Sequence, residues 1–296
     1  MIHYSGEVQE ALHKKSPLVA LESTIISHGL PRPSNKAVAL EVEEIVRTNG
    51  ATPATIAILN GEIHVGLNPE ELDRVANDEN ITKASIRDLP IVTAKKLSAA
   101  TTVAATSHIA HLAGISIFAT GGLGGVHRGA QESWDESADL HSLANIPVMV
   151  ISAGAKSILD VAATLERLET LSVPIVGYRT SRFPGFYLID SGFDLEYRVD
   201  SPSEIAAIWR ERQELGISRS GMVVANPVTR QMDPELHATT LTNGMKAAEN
   251  ENISGKAVTP FLLEYFHSHT GGESLRVNID IIKSNAALAA QIAATL

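Results

Sequence analysis

The sequence predicts an α/β fold: a mainly parallel sheet covered by helices on both faces, with a small antiparallel hairpin excursion. Three observations lead there. Short aliphatic runs alternate with amphipathic helical patterns. The runs are continuously apolar rather than alternating with polar residues, which is the pattern of strands buried on both faces. One pair of runs is joined by Asn60-Gly61, a two-residue hairpin signal.

Taken in order, "PLVALES", "TPATIAIL", "ISIFATGG", "IPVMVISAG", "VPIVGYRT" and "SGMVVANPV" read as strands. The stretch "ATIAILNGEIHVGL" carries the hairpin. Asn68-Pro69-Glu70-Glu71 opens a short helix with an N-cap, proline at the first helical position and a glutamate at the third. Residues 99–126 are rich in Ala, Gly and Thr and read as a buried helix and strand. The segment 152–171, "SAGAKSILDVAATLERLETL", reads as a strand end, a Ser-Ala-Gly turn and a helix with Lys156 in its first turn. Ser201-Pro202-Ser203-Glu204 opens another helix with the same capping chemistry. A tail from about 256 to 296, broken at Gly271-Gly272, has helical spacing and is expected to pack on the main body. The organisation expected is one domain over residues 1–296, with a hairpin-containing subregion near 52–90 and no internal repeat.

Charge narrows the function classes. Against 24 Lys and Arg stand 34 Asp and Glu, a formal net charge of -10, so the long-range field repels nucleic acid and anionic membranes. A small phosphorylated ligand is compatible, because such ligands are held by a few local donors. The absence of cysteine excludes disulfides, thiolate metal sites and cysteine nucleophiles, and fits a reducing cytoplasm. The first apolar run is short and contains Glu22, so it reads as neither an export signal nor a membrane span.

In open parallel sheets ligands gather at the carboxyl ends of the strands. Here those ends are polar: Glu22-Ser23-Thr24, the glycine loop that begins at Thr120 and runs through Gly121 to Gly129, Lys156, and Asn226-Pro227. The glycine loop offers backbone N–H groups suited to an anion, with His127 and Arg128 as added donors, though five glycines also make a tight turn. Its spacing matches neither a dinucleotide fingerprint nor a P-loop. Asp135 and Asp139 stand four residues apart, so on a helix both carboxylates share a face that suits Mg or Mn; a cap and a solvated carboxylate read equally well. Glu22, at the end of an apolar strand, is either satisfied by a buried hydrogen bond or kept as a proton donor. A lysine at a helix start is least unfavourable as the neutral amine, the nucleophilic form; a side chain snorkelling to solvent is the alternative. His28, His108 and His111 lack ligand partners at a recognisable spacing and read as packing or local hydrogen bonding.

The strings "VALESTIISHGLPRP", "PATIAILNGEIHVGL", "ITKASIRDLP", "TGGLGGVHRGA", "DESADL", "SAGAKSILD", "VVANPV" and "TPFLLEYFHSHTGGESLRVNI" occur in this order from about residue 17 onward. The chain in this respect closely resembles the pseudouridine-5'-phosphate glycosidases. The resemblance implies reversible cleavage of pseudouridine 5'-phosphate to uracil and ribose 5-phosphate, a divalent metal such as Mn2+, and a homotrimer. It implies Lys156 as nucleophile, Glu22 as proton donor and Asp135 as metal ligand. Lys83, Val103, the stretch Ser137 to Asp139 and Asn278 are the implied substrate contacts, with Asn278 reading the uracil edge; Thr120, His127 and Arg128 join them as candidates. Glu136 stands where an aliphatic residue is expected, an extra carboxylate beside the metal position.

A bond between the sugar C1' and uracil C5 offers no leaving oxygen for a two-carboxylate glycosidase scheme to protonate. Lysine as an electron sink meets that need. The rivals are a Schiff-base aldolase acting on another sugar phosphate and a non-catalytic nucleotide-binding module.

Overall fold

The computed structural model describes residues 2–253 and 257–296. Among them, eleven strands form one sheet: β1 (Ile2–Tyr4), β2 (Leu18–Leu21), β3 (Thr52–Leu59), β4 (Glu62–Val65), β5 (Thr82–Ala84), β6 (Ala99–Thr101), β7 (Ile117–Ala119), β8 (Met149–Ser152), β9 (Ile175–Tyr178), β10 (Arg198–Val199) and β11 (Met222–Ala225). The helices are α1 (Gly6–Lys14), α2 (Ser34–Thr48), α3 (Pro69–Asn77), α4 (Leu89–Ala94), α5 (Val103–Leu112), α6 (Ala130–Ser133), α7 (Ala138–Asn145), α8 (Val161–Thr170), α9 (Pro202–Glu214), α10 (Pro234–Asn250), α11 (Val258–His269) and α12 (Glu273–Ala293).

The strand order is β1-β4-β3-β2-β7-β8-β11-β9-β10, with β6 pairing β3 and β5. From β3 to β10 along that order every pairing is parallel, while β4 and β6 each run antiparallel to β3. The sheet is thus mainly parallel with a local antiparallel excursion.

Its apolar runs are continuous because successive residues serve two different cores. Val19 and Leu21, Ile117 and Ala119, Met149 and Ile151, and Met222 and Val224 enter one layer, packed under α2, α9 and α12. The residues between them, Ala20, Phe118, Val150 and Val223, enter the opposite layer, under α5 and α7. Truncating a fully buried side chain such as Phe118 to alanine costs about 3–5 kcal/mol on this account.

Local signals behave as their chemistry requires. Asn60 and Gly61 both take positive φ, 53° and 80°, and join Leu59 to Glu62 in register, the primed turn that matches strand twist. Asn68 caps α3 in a full capping box with Glu71. Ser201 caps α9 by accepting from the Glu204 amide, while the Glu204 carboxylate reaches the backbone N–H of Asp200, one residue before the cap. The segment 99–126 holds β6, α5 and β7, one strand more than expected. The expected tail begins at Lys256, outside the described residues; beyond it, α11 and α12 are separated at Gly271-Gly272, and α12 lies against β2, β7 and β8.

Two expectations fail. Lys156 is not in the first turn of a helix: α8 starts at Val161, capped by Asp160, whose side chain accepts from the Ala163 amide at 3.0 Å. The helix-dipole reason for a neutral amine goes with it. Asp135 and Asp139 do not share a helix either. α6 ends at Ser133, Trp134 takes φ of 56°, and α7 begins only after its cap Ser137, leaving Asp135 in the connecting loop.

Candidate active site

The carboxyl ends of β2, β7 and β8 open on one cleft with two lobes, of about 510 and 420 Å³. Glu22, Thr24, Lys83, Lys156 and Thr259 line both. The first lobe is polar, walled further by Ser85, Arg87, His127, Asp135 and Ser137, with Val103 at the start of α5. The second is more apolar, walled further by Ile25, Phe186, Pro260 and Leu263, with His28, Thr82 and Asn278 as polar groups of its own.

Glu22, just past β2, is 7 % exposed. Both of its oxygens are engaged: the Thr24 hydroxyl donates to one and the Thr120 hydroxyl to the other. The carboxyl is thus satisfied by hydrogen bonds and lines both lobes. Thr120 is fully buried and orients the acid rather than lining the cleft. Its carbonyl accepts from Nδ2 of Asn285 on α12 at 2.7 Å.

Lys156 follows β8 in an extended loop. Its backbone N–H donates to the Leu123 carbonyl at 3.0 Å, and its own carbonyl accepts from the Leu159 amide at 2.9 Å. Among the described residues its side-chain nitrogen pairs with no carboxylate, and the side chain lines both lobes. The Arg128 guanidinium turns away from the cleft and donates to the Ile158 and Ser157 carbonyls at 3.3 and 3.5 Å, bracing the loop behind Lys156. The structure does not bring Arg128 to the candidate substrate contacts.

The glycine loop is not an open anion cradle. The N–H groups of Leu123, Gly124, Val126 and His127 go to Gly154 O, Asp139 Oδ2, Thr164 Oγ1 and Asp135 O at 2.8–3.0 Å. The glycines serve close approach instead. A Cβ on Gly124 would stand 2.2 Å from Ser137 Oγ, and one on Gly122 would stand 2.6 Å from the Phe186 ring.

Asp139, buried at the start of α7, accepts from the Ala104 N–H at 3.0 Å and the Gly124 N–H at 2.8 Å. Its carboxylate thus ties α5, the glycine loop and α7 together, and both oxygens already have donors. Asp135 differs: its nearest charged partner is His127, with Nδ1 3.9 Å from Oδ2, and its oxygens are otherwise open to the polar lobe. Burial holds the His127 imidazole below the usual histidine range; Asp135 opposes this, and Lys156 and Lys83 add to it. Among the described residues no three His, Cys, Asp or Glu side chains come together. A metal at Asp135 would draw most of its shell from water, which fits a hard divalent ion. Glu136 accepts from Arg167 Nε at 3.0 Å, so the extra carboxylate is paired with α8 while touching the lobe wall.

Asn226 does not reach the cleft. Its side-chain amide donates to Asn285 Oδ1 at 2.9 Å and Ser284 Oγ at 3.0 Å. His108 and His111 also lie outside the cleft, whereas His28, read as packing, lines the apolar lobe. Ser85, Arg87, Phe186 and Thr259 went unnoticed in the sequence. For the first two a signal existed, the Ser85-to-Asp88 capping box directly after Lys83. Phe186 and Thr259 arrive by long-range packing and left none.

Comparison with known proteins places the chain among relatives that span its length. The family model described as "Indigoidine synthase A like protein" matches residues 7–295. The pseudouridine-5'-phosphate glycosidase of Salinispora tropica is 56% identical over 294 residues, 99% of this chain and 91% of that protein. That of Caldanaerobacter subterraneus subsp. tengcongensis is 50% identical over 297 residues, 100% of this chain and 96% of that protein. Among solved structures, the prealnumycin C-glycosynthase AlnA in complex with ribulose 5-phosphate superposes with a TM-score of 0.92 at 32% identity, covering 100% of this chain and 97% of that one. An indigoidine synthase A-like protein of Thermotoga maritima gives 0.90 at 35% identity, covering 99% and 95%.

Proposed function

The chain belongs to the pseudouridine-5'-phosphate glycosidase family, and from that premise we propose that it reversibly cleaves the C–C glycosidic bond of pseudouridine 5'-phosphate, giving uracil and ribose 5-phosphate. The observation that carries the residue assignment is that Glu22 and Lys156 both stand where the two lobes meet, within one cleft.

The roles follow from what each group is able to do. Glu22 gives a proton to the ribose ring oxygen as the C1'–O4' bond breaks, while the free amine of Lys156 forms a bond to C1'. The adduct nitrogen returns a proton to the Glu22 carboxylate, and its freed lone pair forms the C1'=N bond as the C1'–C5 bond breaks toward uracil, whose C5 takes up that proton. Water hydrolyses the lysine imine and releases ribose 5-phosphate. Thr24 and Thr120 hold the Glu22 carboxyl in place for its transfer. Lys83, with Ser85, Arg87 and His127 in the polar lobe, suits the phosphorylated sugar; Asn278 in the apolar lobe suits the base. Asp135 would hold a divalent ion, Mn2+ by family likeness, which when bound would supply positive charge to the polar lobe.

The oligomer we propose on the same likeness is a homotrimer, and the compartment, from a cysteine-free sequence, is the cytoplasm. Among the described residues no helix is long and apolar enough to cross a membrane.

The test is release of uracil from pseudouridine 5'-phosphate, followed by borohydride reduction in the presence of ribose 5-phosphate. The wild type is expected to release uracil and to carry the reduced sugar on Lys156. Lys156→Arg keeps the charge and is expected to do neither. Substantial turnover by that variant removes covalent catalysis at this residue.

A further inference from the structure

His28 is a polar group of the apolar lobe to which the chemistry above gives no task. It sits on the π-helical turn Ile25–Gly29, a rare geometry that recurs at functional sites. With Asn278 it supplies polar edges to the lobe walled further by Ile25, Phe186, Pro260 and Leu263, in addition to the Glu22, Lys83 and Lys156 shared with the polar lobe. Phe186 is a fixed wall: its ring lies over Gly122, where a Cβ would stand 2.6 Å away, and meets Tyr187 edge-on with centroids 4.6 Å apart. A planar, uncharged heterocycle matches such a space, its faces against apolar groups and its edges against a few polar ones.

The surroundings of the imidazole favour its neutral form. Desolvation by the lobe wall, then the Lys83 charge, hold it below the usual histidine range, with the Thr82 backbone acting against them and Arg32 adding a lesser push. In a neutral ring one nitrogen donates and the other accepts. The ring lines the lobe wall, so its accepting nitrogen can meet a ligand there.

We propose that His28 reads a ring N–H of the departing base with its unprotonated nitrogen, restricting substrates to bases that carry a free N–H at that edge. The proposal rests on the functional reading above and goes beyond it by naming what selects the base. A site built to bond an N–H rejects an analogue lacking it, because its own acceptor is then buried unpaired.

The experiment compares kcat/KM for pseudouridine 5'-phosphate and its 1-methyl and 3-methyl derivatives in wild type, His28→Phe and His28→Gln. The wild type is expected to lose about 10²-fold on one of the two methylated substrates. His28→Phe should narrow that preference to within about threefold, whereas His28→Gln, whose amide oxygen still accepts, should keep it. Equal turnover of all three substrates by the wild type overturns the role of His28 and leaves the functional reading intact. An unchanged preference in His28→Phe overturns that role too, as does, where that variant is inactive, a lost preference in His28→Gln. A wild type that releases no uracil from the parent compound overturns the functional reading itself.

Discussion

The two lobes of the cleft share an acid and an amine but are held up by different physics. The polar lobe rests on carboxylates with assigned partners: Asp139 on two backbone amides, Glu136 on Arg167 and Asp135 beside His127. The apolar lobe rests on rings, with Phe186 against Tyr187, Tyr187 against Phe266 at 5.2 Å, and His237 against Phe266 at 5.5 Å. The contrast teaches that the cleft has two different supports, so a perturbation aimed at one should leave a signature the other does not.

The largest effect is expected where the supports meet. Glu22→Gln removes the transferable proton but leaves an amide that Thr24 and Thr120 still bond. A loss of about 10²–10⁴-fold in kcat with KM nearly unchanged is expected from steady-state kinetics. A variant that loses affinity instead would recast Glu22 as a substrate anchor.

Acid should loosen the apolar side first. Burial, with a smaller push from Arg128, lowers the His237 pKa to about 4, so below the ordinary histidine value the unfolded chain binds a proton that the folded chain refuses. Stability is therefore lost as pH falls from about 6.5 toward 4, by an amount on the order of 2–3 kcal/mol at pH 4.5. Urea melts at pH 7 and 4.5 should show His237→Gln losing less than the wild type between those two conditions. An identical loss in both would remove His237 as the acid-sensitive group.

The smallest effect belongs to the polar side and should be independent of pH near neutrality. Asp139→Asn leaves one of two buried N–H groups facing a poor partner, at about 1–3 kcal/mol of stability. Thermal melts check this directly. A variant as stable as wild type would mean that the α5–loop–α7 junction is held by packing alone.

What the sequence made legible was whatever depends on neighbours within a few residues. Asn60-Gly61 turned as its two positive φ angles require, and Asn68 capped as its side chain allows. The failures came where two local signals competed. Asp160 captured the start of α8 that Lys156 was expected to occupy, and Ser137 captured the start of α7, cutting Asp135 loose. Glu22 and Lys156 were legible because a carboxylate and an amine closing apolar strands call for an explanation. The division of the cleft into lobes was not, because its walls come from segments far along the chain: Phe186 from the loop between β9 and β10, Thr259 from α11 and Asn278 from α12.

Asn285 gives that packing a temporal side. Its amide spans the Thr120 carbonyl and the Asn226 side chain, holding the ends of β7 and β11 from below. It is encoded downstream of the acid, the amine and every strand. On the ribosome the sheet emerges before its brace, so a nascent chain carries the reactive pair without a finished cleft until synthesis has passed this position.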